Sequence, residues 1–370
     1  MWPTRAWYAA GWSHELKQKP MRRQVLGEQL ALFRDAAGTA HVVGAVCPHR
    51  GMDLGCGHVV NGNLQCPWHG WEYDGEGKCV RIPAQHETVP IPARARLPVF
   101  PLREQQGFLW VWMDREVGPV QPPRRYDFFD LADAQRKQWA AACTAGGWMN
   151  TVENTMNTAH LAFVHTKSMG VKLNPLVGAF TIEFDDDGTG FRAWEPPPTR
   201  PGEYNSQKDF ITSGPTRWLA PILGIKPVAH RRSAFYIGGF SYVMITYVDG
   251  SREWILAAIT PCSETHTWFF FETVRTRGRH VIADWFQRRF MRLLLQEDVD
   301  IVAKTLANGP AGLPNPVSVQ SDARMLAVRR LYARALRAEG KPVPWAAGAG
   351  PAMEAEGIQA AAMPVASAVR

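Results

Sequence analysis

Two short Cys/His motifs constrain this chain more than any other feature. The first, CPH, offers Cys47 and His49; the second, CPWH, offers Cys66 and His69, and sixteen residues separate them. Two thiolates and two imidazoles in mixed pairs suit a [2Fe–2S] cluster in which one iron has two sulfur ligands and the other has two nitrogen ligands. Neutral imidazoles remove negative charge from such a cluster and raise its reduction potential, so the pattern predicts an electron relay.

Zinc is the alternative metal for two cysteines and two histidines. Zinc sites usually group like with like, as C-x₂₋₄-C and H-x₃₋₅-H. Here each cysteine is followed by a histidine, and each pair lies in a Pro/Gly-containing loop, CPHRGM or CPWHGW. The arrangement favours the iron–sulfur cluster.

The stretch 47–83, CPHRGMDLGCGHVVNGNLQCPWHGWEYDGEGKCVRIP, resembles the Rieske domain of the Rieske non-haem iron oxygenases, in their catalytic (alpha) subunit. Respiratory Rieske proteins carry two further cysteines beside the ligands, and this chain has Met52 and Trp68 where those would fall. The resemblance therefore points to an oxygenase or a soluble ferredoxin and away from a respiratory complex.

Length and cysteine content agree with an intracellular protein. The 370 residues allow two domains, each with its own core. Six cysteines form no dense disulfide framework, which suits a reducing compartment. The start, MWPTRAWYAAGW, lacks the apolar region and cleavage site of a secretory signal, and the longest mostly apolar stretch, 235–248, is too short to span a bilayer. We expect a cytoplasmic protein with no membrane span.

The formal charge of +7 raises the question of nucleic-acid binding. The basic residues are mostly scattered and no nucleic-acid-binding module is recognisable, so we expect no nucleic-acid partner. A basic surface also suits an acidic electron-transfer partner, and an ordinary solvated surface explains it equally well.

The chain predicts an α+β protein with an N-terminal antiparallel β domain and a C-terminal helix-grip domain, an antiparallel sheet held against a long helix. Short β-like runs alternate with turns through 1–115, the Rieske domain, and turns are predicted at Asp35–Gly38 and Asp74–Gly77. Residues 116–137 form a Pro-rich linker. The catalytic domain is 138–345, and the Ala/Gly/Pro-rich tail 346–370 is expected to be disordered. Within the catalytic domain we predict a helix over 148–164, an irregular region over 174–227, strands over 234–247, 253–259 and 267–274, and helices over 281–307 and 322–339.

A second metal site is suggested by His160 and His165, which follow Glu153 in the segment ENTMNTAHLAFVH. Residues five apart on a regular helix point about 140° apart, so both rings can reach one metal only if the helix ends or loosens near Phe163. From the residues alone, ordinary hydrogen-bonded histidines explain the pair as well. The segment resembles the iron-binding motif of the oxygenase family, and that resemblance implies that both histidines bind a mononuclear Fe(II).

The resemblance also implies a carboxylate ligand from a Q/E-E-D-like pattern on the long helix, which completes a two-histidine, one-carboxylate set. In the sequence QEDVD, Asp298 takes that place. It follows Phe290 and Leu294 at four-residue intervals, so it is expected to point inward, where iron coordination would remove the cost of burying a carboxylate. If the acidic patch is merely solvated, Glu297 and Asp300 remain candidates.

One residue departs from the family pattern. Members usually have an Asp three residues before the first iron histidine, which links a Rieske histidine of the neighbouring subunit to an iron histidine. This chain has Asn157 there, which can form hydrogen bonds but carries no charge. Asn154 is another candidate bridge, so both asparagines are candidate catalytic residues on the electron path.

The activity implied by the resemblance is an O₂-dependent oxygenation. Electrons come from NAD(P)H through a separate reductase or ferredoxin, since no G-x-G-x-x-G follows a strand. The family implies a head-to-tail homotrimer that closes into a ring. The chain resembles the monooxygenase and demethylase branch without a beta subunit, so we expect hydroxylation or oxidative demethylation of a small, apolar, cyclic organic substrate.

Two other functions are compatible with the Rieske motif. One is a Rieske ferredoxin-like electron carrier fused to a ligand-binding domain without catalytic iron. The other is an enzyme of the same architecture whose Asn157 marks lost or altered activity. The set His160, His165 and Asp298 discriminates against the carrier, because a binding module has no need of it.

Overall fold

The computed structural model describes residues 1–168, 175–196, 228–309 and 316–345. The chain divides into two units, Met1–Tyr126 with Thr260–Glu264, and Asp127–Ile259 with Thr265–Arg370. No helix within the described ranges is both long and apolar enough to cross a membrane.

The first unit consists of small antiparallel sheets. Its strands are β1 (Trp7–Trp12), β2 (Met21–Val25), β3 (Glu28–Arg34), β4 (Ala40–Gly44), β5 (His58–Val60), β6 (Asn63–Gln65), β7 (Glu72–Tyr73), β8 (Cys79–Arg81), β9 (Leu102–Gln105) and β10 (Phe108–Trp112). They pair in the orders β1-β10-β9, β2-β3-β4 and β5-β6-β7-β8. Cys47 follows β4 and Cys66 directly follows β6, so both cluster motifs begin where a strand ends.

The turns predicted after β3 and β7 are confirmed, and both close in the same way. The Asp35 carboxylate accepts hydrogen bonds from the backbone N–H groups of Ala37 and Thr39, each at 2.9 Å. The Asp74 carboxylate accepts from Glu76 and Lys78 at 3.0 and 2.9 Å. An aspartate that binds the backbone beyond it favours a turn over a continued strand.

The second unit contains one seven-stranded sheet and the helices of the described residues. Its strands are β11 (Gln135–Ala145), β12 (Thr181–Phe184), β13 (Gly190–Glu195), β14 (Val228–Tyr236), β15 (Phe240–Tyr247), β16 (Arg252–Pro261) and β17 (His266–Arg275), in the spatial order β11-β17-β16-β15-β14-β13-β12. The helices are α1 (Trp148–Met156), α2 (Leu161–Val164), α3 (Val281–Thr305) and α4 (Ala323–Ala338).

Trp148 at the start of α1 ties the helices to the sheet. Its ring stacks on Tyr332 of α4 with centroids 4.8 Å apart, and its indole N–H donates to the Ile259 carbonyl at 2.7 Å. A buried indole needs a partner for its N–H, so this contact fixes the position of α1 as well as burying apolar surface. The predicted α+β class, with an antiparallel sheet against a long helix, is confirmed.

Three local predictions for the second unit were wrong. The single strand over 234–247 is two strands, because Gly238 and Gly239 have φ values of 90° and 84° and form a tight turn. The single helix over 148–164 is interrupted between Met156 and Leu161. The region 174–227 contains β12 and β13, while residues 197–227 lie outside the described part of the chain.

The remaining predicted segments fall as follows. The long helix ends at Thr305 and continues as a 3₁₀ turn over Leu306–Asn308. The predicted linker 116–137 includes a 3₁₀ turn at Asp127–Asp130 and the start of β11. The tail 346–370 lies outside the described residues.

Candidate metal centres

The two Cys/His loops of the first unit have the same backbone hydrogen bonds. The Cys47 N–H donates to the Met52 carbonyl at 2.9 Å, and the Gly51 N–H donates back to the Cys47 carbonyl at 2.9 Å. In the second loop, the Cys66 N–H donates to Trp71 at 2.8 Å and the Gly70 N–H donates to Cys66 at 3.0 Å.

Glycine is required four residues after each cysteine. Gly51 and Gly70 have φ values of 77° and 70°, in the left-handed region that side chains rarely adopt. The repeated glycine in CPHRG and CPWHG therefore has a conformational cause, and the loops present their cysteines and histidines in equivalent positions.

The four predicted cluster residues lie together. Cys47 and Cys66 are each 2% exposed and belong to one apolar core. The rings of His49 and His69 are adjacent, with centroids 4.5 Å apart, and His49 stacks on Trp71 at 4.6 Å. Nδ1 of His49 is buried and has no hydrogen-bond partner among the described residues, which is costly unless the atom binds something. Buried thiols, paired imidazoles and this unpartnered nitrogen fit a [2Fe–2S] cluster.

Tyr73 adds a contact that the motif did not predict. Its hydroxyl oxygen lies 3.2 Å from Sγ of Cys47, and its side chain is fully buried. Burial raises the pKa of the Cys47 thiol, so the sulfur is a thiolate only when something stabilises its charge. A hydroxyl that donates to the sulfur gives such stabilisation, and no spacing rule in the sequence signals it.

The structure also brings His160, His165 and Asp298 together in the second unit. The Nε2 atoms of the two histidines are 3.2 Å apart, and Oδ1 of Asp298 is 3.4 Å from each. Ligands about 2.1 Å from one metal ion, at angles of roughly 90–110°, are about 3.0–3.4 Å apart. The three atoms therefore fit a single ion. Within the described part of the chain, the buried Nδ1 of His160 has no hydrogen-bond partner.

The two histidines lie at the ends of a short helix that is separate from α1. α1 ends at Met156, and Asn157 has an extended backbone with φ −87° and ψ 126°. The Asn157 side-chain oxygen accepts from the Ala159 N–H at 2.7 Å, which starts the short helix α2. His160 and His165 are the two cap residues of α2, and their ring centroids are 5.1 Å apart. α2 ends at Val164, which agrees with the predicted end near Phe163.

Asp298 lies on the inward side of α3, as predicted. The buried stripe of that helix is Met291, Leu295 and Val302, and Asp298 falls in the same stripe at intervals of three and four residues. Phe290 and Leu294, on which the prediction relied, are only partly buried. The prediction that Asp298 points inward was right, although the buried face is defined by Met291, Leu295 and Val302 and not by Phe290 and Leu294.

Asn154 and Asn157 have different surroundings. The Asn154 amide donates to Oδ1 of Asp298 at 2.9 Å, so Asn154 lies at the three-residue site. The Asn157 amide is 3.6 Å from the sulfur of Met325, and its oxygen forms the turn described above. Their predicted roles as electron-path residues remain predictions.

The two alternative acids of α3 make other contacts. Asp300 is exposed and accepts from the Gln296 amide at 2.7 Å. Glu297 is directed to Nδ1 of His165, at 3.2 Å, on the opposite side of that ring from Asp298. Burial opposes ionisation of Glu297, but hydrogen bonds from Ser168, Lys167 and His165 outweigh it and lower the pKa of this carboxyl.

Two family models match the chain. Residues 6–101 match the Rieske [2Fe-2S] domain, and residues 145–338 match the vanillate O-demethylase oxygenase C-terminal domain. The second match alone covers more than half of the chain.

Curated relatives and a solved structure extend the comparison. The chain is 30% identical to aminopyrrolnitrin oxygenase PrnD of Pseudomonas fluorescens over 271 residues, 70% of this chain and 71% of the relative. It is 26% identical to the oxygenase component of chloroacetanilide N-alkylformylase of Rhizorhabdus wittichii, over 93% of this chain and 99% of the relative. The crystal structure of dicamba monooxygenase bound to dicamba shares the fold, with a TM-score of 0.73 and 23% identity, over 92% of this chain and 99% of that one.

The two domain matches in this order, together with the relative covered over most of its length, define the family. The predicted enzyme class and cofactors are thereby confirmed. The chain belongs to the Rieske non-haem iron oxygenases, oxidoreductases that carry a [2Fe–2S] cluster and a mononuclear iron and use O₂ as cosubstrate.

Proposed function

We propose that Cys47, Cys66, His49 and His69 hold the cluster, in a Rieske domain over 1–115. His160, His165 and Asp298 then hold the mononuclear iron, in a catalytic domain over 138–345. One observation carries this proposal: three ligand-type atoms from two distant parts of the sequence lie 3.2–3.4 Å apart. Two imidazoles and one carboxylate are the donor set of non-haem iron oxygenases, and the bound iron would supply O₂ activation.

The residues of the second site have separable tasks. His165, which is 1% exposed, and His160 supply neutral donors, and Asp298 supplies the one negative charge. The Asn154 amide, which donates to Asp298, orients the carboxylate and satisfies one of its lone pairs. The site thus offers a ferrous ion partial charge compensation in a mostly buried setting.

The substrate we propose is a small, apolar, cyclic organic molecule, which is hydroxylated or oxidatively demethylated. Support comes from the similar proteins, whose names describe an aminopyrrolnitrin oxygenase, an N-alkylformylase of chloroacetanilides and a monooxygenase of dicamba.

The electron-transfer partners and the oligomeric state are proposed on the same grounds, the similar proteins and the family. Electrons would come from NAD(P)H through a separate reductase or ferredoxin; one relative is itself described as an oxygenase component. We propose a cytoplasmic head-to-tail homotrimer, in which the cluster of one subunit serves the iron of the next.

A Rieske ferredoxin-like carrier without catalytic iron is not favoured. The match to an oxygenase domain spans 145–338, which includes all three proposed iron ligands. A carrier would contain only the two cluster irons.

Metal analysis combined with O₂ consumption tests the proposal. Protein prepared anaerobically should contain about three irons and two sulfides per chain, two of the irons belonging to the cluster. With a reductase, NADH and a panel of substituted aromatic acids, ethers and amides, at least one compound should accelerate O₂ uptake and yield a hydroxylated or dealkylated product. Two irons per chain and no substrate-dependent uptake would favour the carrier.

A further inference from the structure

Glu297 makes an unusual set of contacts for a residue on a largely exposed helix. Its side chain is 9% exposed, and Oε2 lies 3.2 Å from Nδ1 of His165. Oε1 accepts hydrogen bonds from the backbone N–H groups of Lys167 and Ser168, at 2.8 and 3.2 Å. One carboxylate thus contacts both the ring of His165 and the backbone that follows it.

Because Glu297 precedes Asp298 in the sequence, its contacts can act on the same histidine ring that Asp298 approaches. Consecutive helical residues point about 100° apart, so α3 directs two adjacent carboxylates to different sides of one imidazole. Asp298 lies 3.4 Å from Nε2 of His165, and Glu297 lies 3.2 Å from Nδ1. A carboxylate beside Nδ1 accepts a hydrogen bond from the Nδ1–H group, and this tautomer leaves the lone pair on Nε2 for a metal ion.

The contacts of Glu297 to the backbone N–H groups of Lys167 and Ser168 act on the chain directly after His165. His165 ends α2 with φ −86° and ψ 39°, outside the helical region, so the chain turns out of the helix directly after this residue. The N–H groups of Lys167 and Ser168 come just after the turn, where the helix no longer satisfies them. By accepting both, Glu297 anchors the backbone that follows His165, and it contacts the ring of His165 with its other oxygen.

We propose that Glu297 is a positioning residue for the iron site: it selects the Nε2-binding tautomer of His165 and holds the turn that follows His165, which together restrain this ring beside His160. This inference rests on the proposed function for its iron, but the turn itself can be tested without iron. Glu297 is not itself a ligand, because both of its oxygens are directed to His165 and to the backbone.

The test compares Glu297→Ala and Glu297→Gln with Asp300→Asn in the full-length, cluster-containing protein. Asp300 is the matched control, an exposed acid on the same helix whose side chain bonds only to Gln296 among the contacts described. Amide hydrogen exchange is followed in peptides covering 161–168 after the mononuclear iron has been removed with a chelator. Fe(II) affinity is then measured by anaerobic titration, and the EPR spectrum of the Fe(II)–nitric oxide adduct reports ligand geometry.

For Glu297→Ala we expect the Lys167 and Ser168 amides to exchange at least about tenfold faster, since each loses a charged acceptor. Fe(II) affinity should fall about 10- to 100-fold, the range found for partners of metal-bound histidines, with a changed EPR line shape. Glu297→Gln can still accept from the backbone, so it should restore slow exchange while binding Fe(II) more weakly than wild type. Asp300→Asn should match wild type in both measurements, and the visible spectrum of the cluster should be unchanged throughout.

Unchanged exchange in Glu297→Ala would overturn the proposal, whatever the protein does with iron. If the wild type binds Fe(II) and Glu297→Ala binds it with the same affinity, the positioning role is overturned. If the wild type binds no third iron but Glu297→Ala still accelerates exchange, the proposed function fails while the role of Glu297 in holding the turn stands.

Discussion

The two proposed metal centres are built in opposite ways. The cluster site draws its four residues from 47–69, on two loops with the same backbone hydrogen bonds, and each loop is closed by its own glycine. The mononuclear site draws His160 and His165 from one segment and Asp298 from a helix more than 130 residues later. Side chains hold this second site together, chiefly Asn154 on Asp298 and Glu297 on His165.

This difference predicts which substitutions disrupt each site. A site held by local backbone bonds tolerates changes in the surrounding side chains, because its loops keep their shape. A site held by side-chain bonds between distant segments depends on each of those bonds. We therefore expect substitutions near the mononuclear site to affect iron binding, whereas those near the cluster chiefly tune its potential.

The largest effect should separate the two centres completely. His160→Ala removes one of the three proposed ligands, so the protein should lose the mononuclear iron and all turnover above background. The visible and EPR spectra of the cluster should remain, because its ligands lie in the other unit. Iron and sulfide analysis with an O₂-uptake assay checks this. Retained turnover would contradict the assignment of His160.

The reciprocal substitution should spare the second centre. Cys66→Ala removes a buried cluster ligand, so the cluster spectrum should disappear and reductase-driven turnover should stop. Added Fe(II) should still bind the site of His160, His165 and Asp298 in a stoichiometry of about one per chain. Loss of that site together with the cluster would mean that the two centres do not form independently.

A smaller effect is expected from Asn154→Ala. Removing the 2.9 Å hydrogen bond to Asp298 should weaken Fe(II) binding about tenfold, the value of one hydrogen bond to a charged group. Asn150→Ala is the matched control, since Asn150 lies one turn earlier on α1 and donates to Thr305 of α3 at 2.7 Å. Asn150→Ala should lower the midpoint temperature of thermal unfolding as much as Asn154→Ala does, without changing the affinity for Fe(II). If the two variants bind Fe(II) with equal affinity, Asn154 does not support iron binding.

The smallest effect concerns the cluster. Tyr73→Phe removes the hydroxyl 3.2 Å from Sγ of Cys47. A hydrogen bond to sulfur stabilises the more negative, reduced cluster, so its loss should lower the reduction potential by about 20–60 mV, equivalent to one ordinary hydrogen bond in a one-electron couple. Protein-film voltammetry measures this shift. Loss of the cluster, or a higher potential, would be evidence against the proposed contact.

The same contrast explains which features the sequence could predict. The cluster motif is local, so its spacing indicated the ligand types, and the residues beside it indicated a Pro/Gly-containing loop around each pair. The prediction of His160, His165 and Asp298 depended on family resemblance, because the spacing of two histidines cannot reveal that a helix ends at Val164 or that a distant acid lies beside them. The contacts of Tyr73 and Glu297 carry no local pattern, since they arise only when separate segments pack together.

The fold shows the same limit. The turns at Asp35 and Asp74 have their causes within five residues and were predicted correctly. The strand over 234–247 was predicted as continuous because its apolar pattern outweighed two glycines, whose φ values of 90° and 84° in fact reverse the chain. Adjacent glycines within an apolar run were the available signal.

The central claim is that the cluster and a separate ferrous ion divide electron storage and O₂ chemistry between them. A Mössbauer spectrum of ⁵⁷Fe-enriched, anaerobically reduced protein tests this most directly. We predict that about a third of the iron signal comes from a high-spin ferrous ion bound by nitrogen and oxygen, and the rest from the Rieske cluster. A spectrum that contains the cluster alone, even after Fe(II) has been added, would contradict the claim.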